Sequence, residues 1–128
     1  MIIPARFRDE LGNRFVVTRG LDGCLRTNTM AQWDAVFEQL KRLPSTKRET
    51  RMYIHMLTSK ASECELDSQG RILLPAALIT ESGIEKECVV VGVADHVEIW
   101  AKERWDNYYD EASASFEDVA EQLTEFLI

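Results

Sequence analysis

The apolar and polar positions of the chain follow two different periods, which predict strands and helices in separate stretches. The segment VEIW (97–100) alternates in the manner of a strand with one buried face. In SECELD (62–67), Cys64 and Leu66 share one face of a predicted strand, and acidic side chains take the other face. Two further runs rich in β-branched residues are also predicted to be strands: RFVVTRG (14–20) and ECVVVGVA (87–94).

Between the first and second of these runs in chain order, RFVVTRG and SECELD, the apolar period changes to that of amphipathic helices. The first helix lies in NTMAQWDAVFEQLKRLP, ends before Pro44, and is predicted to turn one apolar stripe inward: Met30, Trp33, Val36, Phe37 and Leu40. The second, STKRETRMYIHML, is predicted to begin with a capping box formed by Thr46 and Glu49. Its two faces are predicted to be a buried side with Met52, Met56 and Leu57, and a basic stripe with Arg48, Arg51 and His55.

The C-terminal part of the chain is also predicted to be helical. Trp105, Tyr108 and Tyr109 recur at helical spacing, and the tail SFEDVAEQLTEFLI has a second amphipathic pattern. We expect the tail to pack through Phe116, Val119, Leu123 and either Phe126 or Leu127, and to expose Glu117, Glu121 and Glu125.

The chain is a tandem duplication with a period of about 72 residues, which suits two copies of one supersecondary unit. In each copy a proline and a glycine frame a short predicted helix, at residues 4–11 and 75–82. The repeat is seen in the following aligned pairs: Pro4 with Pro75, Ala5 with Ala76, Gly12 with Gly83, Val16-Val17 with Val89-Val90, Asp22 with Asp95, and Trp33 with Trp105.

Only the second copy contains the turn DSQGR (67–71) after its first strand. Asp67 is expected to accept backbone N–H groups, and Gly70 to adopt a positive φ. Arg71 is expected to pair with Asp67 across the turn. The same arginine is a candidate for contact with a phosphate or a guanine edge, and both roles are compatible.

The repeat register places Met1 opposite Ile72, so the first copy's strand and turn would precede residue 1. Two explanations are open: the chain is truncated, or its start has been assigned too far downstream. If the strand is truly missing, the neighbouring strand has an unpaired edge, and we expect lower stability or a tendency to associate.

Charge divides the chain into two unlike halves. Residues 1–60 contain eleven basic and six acidic residues, a net of +5, whereas residues 61–128 contain four and sixteen, a net of −12, which together give −7. An acidic protein is not a generic nucleic-acid binder. The asymmetry is nevertheless typical of nucleic-acid contact by one half or of head-to-tail association between copies, and it also fits two solvated surfaces of different sign.

The remaining composition indicates a soluble, cytosolic chain with one core, since no apolar run approaches about 18 residues and the N-terminus lacks a signal pattern. Of its 128 residues 45% are apolar. Cys24, Cys64 and Cys88 are scattered without metal-ligand spacing, which favours free, buried thiols. Neither His55 nor His96 accompanies a nucleophile signature, so we expect surface or capping roles for them, and no catalysis, cofactor or metal.

Several motifs in order, IIPARFR, TRGLDGCL, ASECELDSQGRILLP, KECVVVG and EIW, resemble the MraZ family of bacterial transcriptional regulators over essentially the whole chain. The resemblance implies an α+β fold of two tandem SpoVT/AbrB-like units that form a pseudo-symmetric swapped-hairpin β-barrel with flanking helices. We place these units, which would share one core, at residues 1–60 and 61–128.

The resemblance also implies a ring-shaped homo-oligomer, association with the nucleoid, and binding to repeated sites in the promoter of the division and cell-wall gene cluster. In the family each half carries a D-x-x-x-R motif, which here is complete only as Asp67 and Arg71. The predicted DNA-binding residues are therefore Arg6 and Arg8, from the PAxFR run, and Arg71, with Asp67 and Gly70 shaping the turn.

Further arginines make the first half basic enough for phosphate contact: Arg14, Arg19, Arg26, Arg48 and Arg51. The alternative is a protein-interaction module of the antitoxin type, built on the same fold. A free, disordered C-terminal segment would favour that alternative, whereas the tail of this chain has the pattern of a packed amphipathic helix.

Overall fold

The computed structural model describes residues 1–126, which form an α+β fold with six α-helices and a five-stranded antiparallel sheet. No helix in this part of the chain is long and apolar enough to cross a membrane. The elements in chain order are α1 (Ala5–Leu11), β1 (Arg14–Arg19), β2 (Leu25–Thr29), α2 (Met30–Lys41), α3 (Arg48–Thr58), β3 (Ser62–Glu65), α4 (Ala76–Ser82), β4 (Cys88–Val93), β5 (His96–Ala101), α5 (Lys102–Ala114), α6 (Phe116–Gln122) and a 3-10 turn (Thr124–Phe126).

The sheet joins the two halves of the chain in the order β3-β1-β2-β5-β4. At its centre β2 pairs with β5, with Leu25 opposite Ile99. The strand that opens the second copy, β3, pairs with β1 of the first copy, with Phe15 opposite Cys64. Within residues 1–126 β3 and β4 are the two edges, so the sheet is open and the closed barrel implied by the resemblance is not seen.

One hydrophobic core lies on one face of the sheet and draws on both halves. Its centre is fully buried, with Phe15 and Val17 from β1 and Ile99 from β5. Helices α1 and α4 close this side through buried Leu11 and Leu78. Each helix has a proline at its N-cap and a positive-φ glycine at its C-cap, so the predicted framing of both is confirmed.

The opposite face of the sheet is covered by the other helices. Thr18 of β1 donates its hydroxyl to the carbonyl of Leu57 at 2.5 Å, which ties α3 to the strand. At the other end of the face, Trp100 of β5 packs against Trp105 and Tyr108 of α5, with ring centroids 5.2 and 5.0 Å apart. Helices α2 and α3 therefore lie over the first hairpin, and α5 lies over the second.

The capping box predicted at Thr46 is wrong. Helix α3 begins after Lys47 without a side-chain cap. A reciprocal box forms instead at the start of α2: Gln32 N–H donates to Thr29 Oγ1 at 3.0 Å, and Thr29 N–H donates to Gln32 Oε1 at 2.9 Å. The sequences that begin at Thr29 and at Thr46 share the T-x-x-E/Q pattern. Strand β2 ends at Thr29, which therefore has the extended conformation that an N-cap residue requires.

Several apolar side chains that were predicted to be buried are exposed. On α2 only Trp33 and Leu40 are buried, and no residue of α3 or α6 is. Residues predicted to pack but found at least 38% exposed are Met30, Phe37, Met52, Met56, Phe116, Val119, Leu123 and Phe126. The alternative anchor Leu127 lies outside the described residues. The tail is therefore helical as predicted, but its apolar face does not pack on the chain.

We expect Thr29→Ala to lower the free energy of unfolding by about 1 kcal/mol, because Gln32 N–H loses its acceptor. The matched control is Thr46→Ala, which removes the same hydroxyl from the site that the sequence pattern favoured. We expect its effect to stay within about 0.5 kcal/mol. Urea unfolding followed by circular dichroism measures both, and equal effects of the two substitutions would refute the assignment.

Candidate nucleic-acid interface

The start of the chain pairs with the segment after the DSQGR turn. Met1 N donates to the carbonyl of Ile72, Ile72 N–H donates to the carbonyl of Met1, and Ile3 N–H donates to the carbonyl of Gly70, each at 2.9 Å. Ile2 and Arg71 form an antiparallel bridge. We call this pairing of residues 1–3 with 70–72 the crossing. It aligns the two repeat-related segments that precede α1 and α4.

The turn 67–71 has the predicted geometry. Asp67 Oδ1 accepts the N–H groups of Gln69 and Arg71, both at 2.8 Å, and Asp67 Oδ2 accepts Arg71 Nε at 3.0 Å. Gly70 has a φ of 76°, a conformation that other residues rarely adopt. One carboxylate thus holds both the backbone of the turn and the arginine side chain.

These hydrogen bonds keep Asp67 ionised. The N–H of Arg71 contributes most to lowering the pKa of Asp67 below its ordinary value, helped by the N–H of Gln69 and the Arg71 side chain. Because the folded-state pKa is depressed, the carboxylate's support of the turn is present above the ordinary Asp pKa and is lost as the pH falls through the lowered value. The carboxylate's support of the turn is therefore present at neutral pH.

Arg8 acts as a clamp on this turn. Its Nε donates to the carbonyl of Ile3 at 2.8 Å, and its guanidinium lies directly against Gly70. A Cβ at position 70 would overlap that guanidinium. The sequence assigned Gly70 to backbone conformation alone. Its second role, making room for Arg8, depends on a contact between distant parts of the chain and has no local sequence signal.

Arg6 and Arg71 are the exposed members of the predicted set. Arg6 is exposed on α1, with its guanidinium 4.7 Å from the centroid of the Phe7 ring. Arg71 keeps 53% of its side chain exposed while paired with Asp67. The crossing brings the strand position of Arg71 beside residues 1–3, immediately before α1. The fold therefore brings Arg8, Asp67, Gly70 and Arg71 together at the crossing, and Arg6 lies on the helix that follows it.

Most other predicted phosphate contacts have partners within the chain. Arg14 pairs with Glu63, Arg19 pairs with Glu81, and Arg51 donates to the carbonyl of Ser45 at 3.0 Å. The sequence did not single out Arg104, which donates to the carbonyls of Gly23 and Glu81 at 2.9 and 3.0 Å. Carboxylates of the same chain thus neutralise Arg14 and Arg19, as Asp67 does Arg71.

The structure also defines the surroundings of Cys24, His96 and the candidate metal ligands. Burial, aided by nearby Glu98, raises the pKa of the Cys24 thiol to about 12, so the thiol is protonated at neutral pH. For His96 the surface alternative of the predicted surface or capping role is wrong: its side chain is 10% exposed and lies between Asp95 and Glu98, at 2.8 and 2.9 Å. Within residues 1–126 no cluster of His, Cys, Asp and Glu could hold a metal.

We expect Gly70→Ala to destabilise the protein by about 2–4 kcal/mol, because a Cβ in the left-handed region is strained and also displaces Arg8 from its charged hydrogen bond. In an Arg8→Ala background the same change should cost only the backbone strain, about 1–2 kcal/mol. A double-mutant cycle measured by urea unfolding gives this coupling.

The matched control is Gly12→Ala, since Gly12 also has a positive φ, of 77°, but has open space where a Cβ would lie. Gly12→Ala should therefore lower the free energy of unfolding by the same amount in the unmodified chain and in the Arg8→Ala variant. Additive effects of Gly70→Ala and Arg8→Ala would mean that the guanidinium does not clamp the turn.

Comparison with known protein families gives a match to the family described as "MraZ protein, putative antitoxin-like", over residues 1–55 and again over 57–127. Proteins named "Transcriptional regulator MraZ" are similar along the chain. That of Ligilactobacillus salivarius is 46% identical over 98% of this chain and 88% of its own length. That of Pelotomaculum thermopropionicum is 47% identical over 98% of this chain and 86% of its own length. That of Limosilactobacillus reuteri is 47% identical over 96% of this chain and 87% of its own length.

Two successive matches to one family and relatives well above 30% identity agree with the motifs around Pro4 and Pro75. The chain belongs to the MraZ family.

Proposed function

We propose that this chain is a transcriptional regulator that binds specific DNA sequences through the crossing and the arginines around it. The relatives named as transcriptional regulators support the general function. The observation that carries the DNA site is the exposure of Arg6 and Arg71 on a backbone fixed by the crossing. We propose no catalytic step and no cofactor.

Preorganisation is the physical basis of the proposed site. A free arginine loses side-chain entropy when it binds, but Arg71 is already oriented by Asp67, so less is lost on contact with a phosphate or a guanine edge. Arg8 contributes by holding the turn against α1, and its guanidinium adds positive charge beside the crossing. We assign direct contact to Arg6 and Arg71 and both positioning and charge to Arg8.

We further propose that residues 1–60 and 61–128 are two SpoVT/AbrB-like units sharing one core, related as in a swapped-hairpin barrel. Three observations support this: two successive family matches, the pairing of β3 with β1, and the central pairing of β2 with β5. The crossing would then lie near the pseudo-twofold axis, where the two units present equivalent segments.

The proposed assembly is a ring-shaped homo-oligomer in the cytoplasm, associated with the nucleoid. Its proposed targets are repeated sites in the promoter of the division and cell-wall gene cluster. A single chain with net charge −7 presents few phosphate contacts, so its affinity would be low. Several chains in one ring engage successive sites at a high effective concentration, which increases affinity without new contacts.

A second candidate is a protein-interaction module of the antitoxin type. The exposed apolar face of α6 favours it, because such a face could bind a partner protein. Limited proteolysis separates the two: rapid loss of residues after about 112 favours a free interaction segment, and protection favours a tail packed within the proposed assembly.

We expect Arg6→Ala and Arg71→Ala each to weaken binding to a promoter duplex by about 1–3 kcal/mol, because each removes a direct contact. For a phosphate contact, the slope of log affinity against log salt should also fall by about one. Fluorescence anisotropy over a salt series measures both quantities. Arg8→Ala should likewise weaken binding and reduce the salt dependence.

The control is Lys102→Ala, which removes a similarly exposed cation that is also paired with a carboxylate four positions away, at the start of α5 and outside the crossing. Its affinity should match that of the unmodified chain, and a scrambled duplex should bind more weakly. If Arg6→Ala and Arg71→Ala behave like Lys102→Ala, the crossing is not the DNA surface.

A further inference from the structure

Helix α6 has an apolar face with no partner in the described part of the chain. Its apolar residues and those of the turn that follows are between 44 and 74% exposed: Phe116, Val119, Leu123 and Phe126. Their spacing of three, four and three residues places them on one side of a helix. Such a row of anchors is typical of a helix that binds in a groove.

A groove of about 710 Å³ lies between α2, α3 and the sheet. Its walls include four apolar side chains that are 41–53% exposed: Leu43, Met52, Tyr53 and Met56. Methionine adapts its shape to an apolar partner. Buried Asn28 also lines the groove, and its Oδ1 has no hydrogen-bond donor among residues 1–126.

The segment that contains α6 and the segment that contributes α3 to the groove carry opposite net charge. Residues 41–60, which span the end of α2 and all of α3, contain six basic residues and one acidic residue, a net of +5. Residues 106–126, which include α6, contain seven acidic residues and no basic residue, a net of −7. Contact between the two segments would therefore be favoured by charge as well as by apolar burial.

The exposed area is large enough for two such contacts per chain. A compact monomer of 14.7 kDa is expected to expose about 6,900 Å². This chain exposes 9137 Å², an excess of about 2,200 Å² over that expectation. A standard interface buries about 800 Å² on each partner, so the excess accommodates two interfaces on each copy.

We propose that α6 of one chain docks into the α2–α3 groove of a second copy. The apolar side chains of the helix, Phe116, Leu123 and Phe126, would then face those of the groove, Met52, Tyr53 and Met56. The proposal rests on the homo-oligomer in the proposed function and identifies its interface. Because the two surfaces differ, the contact is head-to-tail, and repeating it closes a ring where the rotation permits.

The connection between α5 and α6 explains why the second copy, rather than the same chain, supplies the groove. Only Ser115 separates the two helices, and α5 is fixed to β5 by the aromatic contacts of Trp100 with Trp105 and Tyr108. The α2–α3 groove lies over β1 and β2 instead. Docking in a second copy leaves α5 in this aromatic cluster, whereas docking in the same chain would have to span from α5 over the second hairpin to a groove over the first.

The first test is sedimentation velocity of the full chain and three variants. We expect the unmodified chain to be oligomeric, and Leu123→Glu and Met56→Glu each to shift it to the mass of one chain, 14.7 kDa. The matched control is Leu73→Glu, the same substitution at a leucine that is 90% exposed outside both surfaces, and its assembly should be unchanged. Because α6 and α3 have no buried residues, we expect both variants to fold, and circular dichroism checks this.

A mixture of the two variants tests the head-to-tail geometry. Leu123→Glu retains an intact groove and Met56→Glu retains an intact α6, so together they should form a complex of two chains and stop there. Each alone should remain a single chain. A mixture that stays entirely monomeric at concentrations where the unmodified chain is assembled would overturn the head-to-tail contact.

Two other results would also overturn the proposal: an unmodified chain that sediments as a single chain, or Leu123→Glu assembling as well as Leu73→Glu. Neither result decides DNA binding, which the Arg6 and Arg71 titrations measure. Conversely, a chain that assembles through this interface but binds no promoter duplex leaves the interface standing and refutes the DNA site.

Discussion

The crossing is the interaction on which the rest of the structure depends. Three backbone hydrogen bonds join residues 1–3 to 70–72, and these bonds place Ile3 and Ile72 in the same core. They also fix where α1 begins, because its proline start follows directly from the paired segment, while buried Leu11 anchors the other end of the helix. Arg8 then locks the arrangement against Gly70. The cation that we propose for the DNA site thereby also holds the fold, so under the proposed function stability and recognition would depend on the same few residues.

Features encoded by neighbouring residues could be predicted from the sequence. The turn at Asp67 and Gly70, the Pro and Gly frames of α1 and α4, and the strands all depend on interactions within a few positions. The Arg8 contact with Gly70 could not be predicted, because it joins segments that only the fold brings together. The prediction of a cap at Thr46 was wrong for a related reason. Two sites had an equivalent T-x-x-E/Q pattern, and only the strand before Thr29 made one of them a cap.

Amphipathic periodicity identified the helices but not what covers them. It indicated an apolar face on α3 and on α6, and both faces exist, yet each is exposed in the single chain. A hydrophobic pattern records which side of a helix avoids water; it does not specify whether the partner is the same chain or another. Where two unsatisfied faces of opposite charge occur in one sequence, the simplest partner for each is the other face on a neighbouring copy.

This pairing would also resolve how an acidic chain approaches DNA. Helix α1 packs on the core face of the sheet, while α2 and α3 pack on the opposite face. Docking α6 on the second surface would neutralise part of the −7 segment against a basic neighbour and leave the arginines near the crossing free. Association and DNA contact therefore do not compete for the same residues. Each added copy would then bring another crossing while reducing the acidic surface that repels phosphate, so assembly would increase both the number and the strength of the contacts.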